Sequence, residues 1–252
     1  MTTSGPVQTF LLRIAVSAVT VVLGSATVVI GLFSPRRAVL VAHLWGRACL
    51  RIAGVPVTVE GLDNIVAGQR YVIMANHESG LDIPVLLAAL PASLEVRFLA
   101  KKVLFDIPFL GWAMRSAGFI PVDREDRSTA AATIKRTLAE VAAGGSPLVF
   151  PEETWTLDGR LLPLQRGGFL VAIKSGLPIL PVGLEGPRVV LPPDEGLIRP
   201  QPVTVRIGSP IPTEGIGVSQ RRELTATTRR EIDRLRGPEG HISDEETASF
   251  RS

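Results

Sequence analysis

One cysteine, one tyrosine, three histidines and an aromatic content of 5% are all that the 252-residue chain carries of these residue types. Each scarcity excludes something. A single thiol, Cys49, cannot form an intrachain disulfide, and it stands in an apolar stretch where a thiol serves as a small core side chain. No cysteine–histidine cluster has the spacing of a zinc site, so no metal or other cofactor is expected. The chain has no Gly-x-Ser-x-Gly, which argues against a serine-hydrolase elbow, and no internal repeat. The basic surplus is only +3, and no basic strand is interleaved with aromatic side chains, so no nucleic-acid partner is expected.

What the chain has instead is apolar residues, at 46%, concentrated near the N-terminus. Ile14 to Pro35 contains no charged residue; as a helix it would run roughly 30 Å, about one hydrocarbon core. A secretory signal fits poorly, because the residues before Phe10 include no Lys or Arg. A buried core helix is the competing reading, although the many β-branched residues would weaken a helix in water. Arg36 and Arg37 follow the run and place the rest of the chain on the cytoplasmic face of a membrane, with Arg13 as a counterweight. Ala38 to Gly54 is amphipathic, with His43, Arg47 and Arg51 four residues apart on one helical face. Such a helix can lie in the membrane interface with Trp45 at headgroup level, or pack on the globular part.

From Val55 onward short β-branched runs alternate with helical patterns. Strands are expected at Val55–Glu60, Tyr71–Ala75, Val96–Ala100, Phe119–Val122, Leu148–Phe150, Ile179–Leu184 and Val203–Ile207. Helices are expected at Ile83–Leu90, Phe109–Ala117, Thr129–Ala142 (with Ser128 as its N-cap) and Gly167–Ser175. The alternation reads as an α/β fold, a mixed or mostly parallel sheet flanked by helices. Three divisions follow: a membrane and amphipathic helical segment over 1–54, an α/β domain over 55–215, and a polar helix with a disordered tail over 216–252.

Three polar clusters follow apolar strands, the place where α/β domains build sites. In Asn76-His77-Glu78-Ser79-Gly80-Leu81-Asp82, His77 is the one histidine well placed to act as a base. Asp82 can fold back across the turn to orient its imidazole, or cap the following helix, or do both. In the segment Gly118 to Arg124, a strand ends in Asp-Arg. Arg124 there can grip a phosphate through paired hydrogen bonds, or simply pair with Asp123 or Glu125 in solvent. Lys101 and Lys102 follow another strand and can add to an anion site. In Phe150-Pro151-Glu152-Glu153-Thr154 adjacent carboxylates at a strand end can hold hydroxyls or position an arginine, or form a polar loop.

In this order the clusters resemble the glycerophospholipid acyltransferase family, which includes lysophosphatidate acyltransferases. Its first block, Asn-His-x4-Asp, is matched by Asn76, His77 and Asp82. The second, a glycine, an apolar strand and an arginine, is matched by Gly118 to Arg124. The third, Phe-Pro-Glu-Gly-Thr-Arg, is matched in part by Phe150, Pro151, Glu152 and Thr154. The fourth, an apolar proline-rich strand, is matched by Leu177 to Val182. Glu153 stands where the family usually has glycine, and Trp155 where arginine is common. Glu153 is expected to impose a different loop and a negative charge near the phosphate site. Trp155 removes one anion contact.

The resemblance implies an O-acyltransferase in which His77 is the base and Asp82 orients it. It implies that Arg124 and Lys101 hold the acceptor's phosphate, and that Glu152 and Thr154 contact its polar part. The donor would be a thioester of coenzyme A or acyl carrier protein, the acceptor a lysophospholipid such as lysophosphatidate, and the site would lie at a membrane lipid surface. The altered third block keeps other acceptors open, glycerol-3-phosphate or a lyso-aminolipid, and also a lipid-binding membrane protein without turnover.

Overall fold

A computed structural model describes residues 5–123, 126–155, 159–193 and 198–237. Every strand expected from the sequence forms: β1 (Val57–Glu60), β2 (Val72–Ala75), β3 (Val96–Lys101), β4 (Ile120–Val122), β5 (Ser146–Val149), β6 (Ile179–Glu185) and β7 (Val203–Ile207). They build one seven-stranded sheet in the order β1-β7-β6-β2-β5-β3-β4. β6, β2, β5, β3 and β4 run parallel to one another, while β7 lies antiparallel to β6 and carries β1 with it. The helices are α1 (Pro6–Gly31), α2 (Pro35–Ala53), α3 (Asp82–Ala89), α4 (Leu110–Ser116), α5 (Ala130–Ala142), α6 (Arg166–Ser175), the short α7 (Pro187–Val190) and α8 (Arg221–Leu235).

The sheet is covered on both faces, and β2 shows why its sequence is apolar without alternation. Tyr71, Ile73 and Ala75 enter one core, with Leu50 of α2, Val85 and Leu86 of α3 and Met114 of α4. Val72 and Met74 point the other way, into a second core with Val141 of α5, Phe169 and Ala172 of α6, and Leu224 and Ile232 of α8. All of these β2 side chains are fully buried, and each large one stabilises the fold by about 1.5–3 kcal/mol relative to exposure. Because α8 contributes Leu224, Thr228, Ile232 and Leu235 to the buried interior, the division at residue 215 does not set this helix apart. None of the charged residues within it is buried. The tail expected to be disordered lies, from residue 238 on, outside the described residues.

α1 starts with a proline at its first turn, where the missing N–H costs nothing. Only 11% of its most apolar stretch is buried, so it is not a core helix. Phe10, Val22 and Val29 along it, and Phe33 just beyond its end, are exposed. α2 takes the second of its two placements, packed on the domain. His43 is buried with Nδ1 2.6 Å from the Leu87 carbonyl of α3, while Arg47 and Arg51 stay exposed. The three-residue polar stripe is therefore split between core and solvent. The indole N–H of Trp45 donates to Thr20 of α1 at 2.9 Å. Gly46 permits the approach of α2 to α3, since a Cβ there would lie 2.8 Å from both the Leu87 Cβ and the Pro84 carbonyl oxygen.

One capping expectation is corrected. Ser128 does not cap α5; it lies within a single 3-10 turn, Arg127–Thr129, that leads into the helix. Asp126 supplies the cap to that turn, accepting from the Ser128 amide at 2.9 Å and its hydroxyl at 2.6 Å. A carboxylate placed two residues earlier outcompetes the hydroxyl as acceptor.

Candidate active site

Parallel strands deliver their C-terminal ends to one edge, and here that edge gathers segments far apart in sequence. β2 leads into Asn76-His77, β5 runs into Phe150–Glu152, β6 leads to α7, and β3 ends in Lys101. β2 lies between β6 and β5 in the sheet, so His77 has the other two strand ends on either side.

Asn76 anchors the first block. Its side chain donates to the Leu184 carbonyl at 3.0 Å and accepts from the Leu184 amide at 2.7 Å, so it clasps β6 the way a strand residue would. The chain then turns, and Asp82, fully buried, brings Oδ2 back under the turn. That oxygen accepts from the amides of Glu78 (2.7 Å) and Ser79 (3.1 Å) and lies 2.6 Å from His77 Nδ1. Asp82 therefore caps the turn preceding α3 rather than the helix itself, and the same carboxylate pairs with the imidazole. A carboxylate oxygen ordinarily accepts here, so Nδ1 carries the proton and Nε2 presents its lone pair.

The third block holds His77 from two further directions. Glu152 is buried, and its oxygens accept from the His77 amide at 2.8 Å and the Leu162 amide at 2.6 Å. Burial pushes the Glu152 carboxyl above the usual carboxylate range, while the two amides and His77 pull it back. Phe150 stacks on the imidazole, with ring centroids 4.2 Å apart and planes 14° from parallel. Trp155 meets it edge-on at 4.8 Å and 77°. Thr154 is exposed on the same turn.

Glu153 adopts φ +62°, the left-handed region that favours glycine, and its amide donates to the Phe150 carbonyl at 3.0 Å.

Lys101 is exposed at the end of β3, where its register partner is Val122 of β4. Lys102 pairs with Asp123 at 3.2 Å. Arg124 lies outside the described residues.

Beyond the residues expected from the sequence, Glu78 and Arg236 join the site. Glu78 is buried beside Asp82, and desolvation first, then that like charge, push its carboxyl up to about 8. Its oxygens accept from Asn76 Nδ2 at 3.2 Å and the Arg188 amide at 3.4 Å. A cleft beside His77 is lined by Asn76, Glu78, Glu152, Arg160 and Arg236. The one signal for Arg236 was its place at the end of a helix whose apolar stripe had to face the domain.

Such an arrangement, a tautomer-locked imidazole at a sheet edge beside a cleft, can take a proton from a hydroxyl. Comparison with known proteins agrees in kind. A model of the acyltransferase domain matches residues 56–185, just over half the chain. The chain is 34% identical over 173 residues to a chloroplastic 1-acyl-sn-glycerol-3-phosphate acyltransferase of Arabidopsis thaliana, covering 68% of this chain and 48% of that protein. It is 36% identical over 166 residues to the 1-acyl-sn-glycerol-3-phosphate acyltransferase of Saccharomyces cerevisiae, covering 65% and 54%. It thus spans about half the length of the curated relatives it matches. The crystal structure of the 1-acyl-sn-glycerophosphate acyltransferase PlsC from Thermotoga maritima superposes with a TM-score of 0.76 at 23% identity, covering 94% of this chain and 97% of that one, a likeness of fold. By the domain that fills residues 56–185, the chain belongs to the acyltransferase family.

Proposed function

We propose that the chain moves a fatty acyl group from an acyl thioester to the hydroxyl of a lysophospholipid, with lysophosphatidate as acceptor and phosphatidate as product. The observation that carries the reading is the His77–Asp82 pair, 2.6 Å apart at the sheet edge of a family-matched domain. The relatives, named as 1-acyl-sn-glycerol-3-phosphate acyltransferases, support the choice of acceptor.

In this mechanism His77 Nε2 takes the proton of the acceptor hydroxyl as its oxygen attacks the thioester carbonyl. Asp82 stabilises the imidazolium that results. The tetrahedral intermediate collapses with loss of the thiolate, which recovers the proton from His77. Glu152 contributes by fixing the His77 backbone. Arg124 and Lys101 are assigned to the acceptor's phosphate, and Thr154 to its polar part. The donor is a thioester of coenzyme A or acyl carrier protein.

The apolar, mostly unburied α1 supports a membrane-associated enzyme, and Arg36 and Arg37 after it support a catalytic domain on the cytoplasmic face. Burying Phe10, Val22, Val29 and Phe33 in lipid would remove about 25 cal/mol from the exposed state for each Å² covered.

The test is acyl transfer by purified protein in detergent. Labelled acyl-coenzyme A and acyl carrier protein thioesters are offered to lysophosphatidate, glycerol-3-phosphate and amino lysolipids, with His77→Ala as control. Transfer to lysophosphatidate that disappears in the variant is expected. Transfer only to another acceptor would move the assignment to that acceptor, and activity surviving in His77→Ala would remove the histidine from the mechanism.

A further inference from the structure

Two polar bonds hold His77, and neither alone sets the plane of its ring. Glu152 fixes the main-chain amide, and Asp82 fixes one ring atom, Nδ1. The χ2 torsion of a histidine is broad and roughly two-fold, and the direction of the Nε2 lone pair depends on it. Aromatic contacts supply what the polar bonds leave open. Phe150 lies nearly parallel to the imidazole at 4.2 Å. It is 4% exposed and is backed by Phe98 at 6.5 Å, which in turn meets Phe119 at 5.2 Å, so this contact is anchored in the core. Trp155 supplies the other, at 4.8 Å and 77°. Stacked and edge-to-face pairs are the arrangements that aromatic rings favour. A ring engaged in one of each loses both contacts when it turns.

One short turn carries both rings. It is closed by the Glu153 amide on the Phe150 carbonyl, with Glu153 in the left-handed region. Such a backbone on a residue with a side chain persists only where the surroundings hold it, and it gathers where a site is preorganised. Trp155, two residues on, is 38% exposed and belongs to neither core, so core packing does not account for its place. The His77 side chain that it touches is only 9% exposed.

We propose that Trp155 is a positioning residue for the base: with Phe150 it fixes the plane of the His77 imidazole, and it covers the ring on the side that the core does not reach. It acts through His77 and not on the substrate. The inference rests on the acyl-transfer reading for its place in the reaction. Its consequence is kinetic, because a base whose lone pair wanders from the acceptor hydroxyl loses rate while the substrates still bind.

Trp155 is the ring to change, because truncating Phe150 would open a cavity in the core. Wild type, Trp155→Ala and Trp155→Phe are compared as full chains in detergent by two readouts. The first is steady-state transfer from acyl-coenzyme A to lysophosphatidate. The second needs no turnover: the rate at which diethyl pyrocarbonate modifies His77, followed by peptide mass spectrometry, with buried His43 as the internal marker of an intact fold. In Trp155→Ala, kcat is expected to fall by roughly 10- to 100-fold with little change in either KM. His77 should be modified several-fold faster, and His43 should stay protected. Trp155→Phe, which keeps an aromatic ring, should recover most of the kcat and of the protection. An unchanged kcat in Trp155→Ala overturns the proposal and leaves the acyl-transfer reading standing. A raised KM with kcat retained also overturns it, by making Trp155 a substrate contact, and so does a phenylalanine variant no better than alanine. If the wild type turns over no acceptor but Trp155→Ala still exposes His77 and Trp155→Phe restores its protection, the hold of Trp155 on the ring is upheld and the acyl-transfer reading falls instead.

Discussion

The backbone N–H of His77 donates to Oε1 of Glu152 at 2.8 Å, a bond between residues 75 positions apart. It means that the third polar block holds the main chain of the first. Glu152 Oε2 simultaneously accepts from Leu162, so one buried carboxylate ties the end of β2 to the segment that leads into α6. Orienting a catalytic base to within a fraction of an ångström requires support of this kind, since small misplacements cost large factors in rate.

Glu152→Ala removes that support and leaves two amides without an acceptor. At about 1–3 kcal/mol for each unsatisfied buried donor, the variant is expected to lose roughly 2 kcal/mol or more of stability, and kcat should fall more than KM rises. Glu152→Gln, which keeps an accepting oxygen, should recover part of both. Thermal midpoints and steady-state kinetics in detergent check this; a Glu152→Ala protein with wild-type kcat would leave Glu152 no part in placing His77.

Asp82→Asn keeps an acceptor for the turn amides but removes the negative charge beside His77. Loss of imidazolium stabilisation and of the tautomer lock should lower kcat by about 10²–10⁴-fold, with far-UV circular dichroism unchanged. A loss of only a few-fold would reduce Asp82 to its turn-capping role.

Glu153 offers a stability test of a different kind. A left-handed backbone carried by a non-glycine residue costs of order 1–3 kcal/mol, part of which a glycine would return as chain entropy. Glu153→Gly is therefore expected to stabilise the protein by about 1 kcal/mol, a rise in Tm of about 2–4 °C at this size. Glu153→Ala retains the Cβ and should gain little. An equal gain from both would point to the charge and not the backbone.

Glu78 sets a pH dependence. Its carboxyl is raised from 4.5 to about 8 in the folded protein, so between those values the folded state keeps a proton that the unfolded chain releases. Stability from this group is full below about pH 4.5 and declines as pH rises towards about 8, by at most ~1.4 kcal/mol per pH unit. Glu78→Gln should flatten the decline. Thermal midpoints measured from about pH 5 to about pH 8 decide it, and parallel slopes for wild type and variant would assign the dependence to other groups.

The local part of the design was readable residue by residue. Short β-branched runs alternating with helical patterns located every strand of the sheet and the principal helices, because strands covered on both faces are apolar throughout and helices covered on one face are apolar at helical spacing. The five-residue separation of His77 and Asp82, with a turn between, allowed their pairing as well as a capping role, since either contact is made within one loop. Tertiary structure alone decided the rest. Only the placement of β2 between β6 and β5 brings Asn76 to Leu184 and Glu152 to His77. Only the packing of α8 on the sheet carries Arg236 back to Gly159, and only the fold of the third-block turn sets Trp155 against the imidazole. Local spacing carries no information about which strand ends become neighbours. That is determined by how both faces of one sheet are buried at once, and it is the sheet order that turns scattered polar clusters into a single cleft.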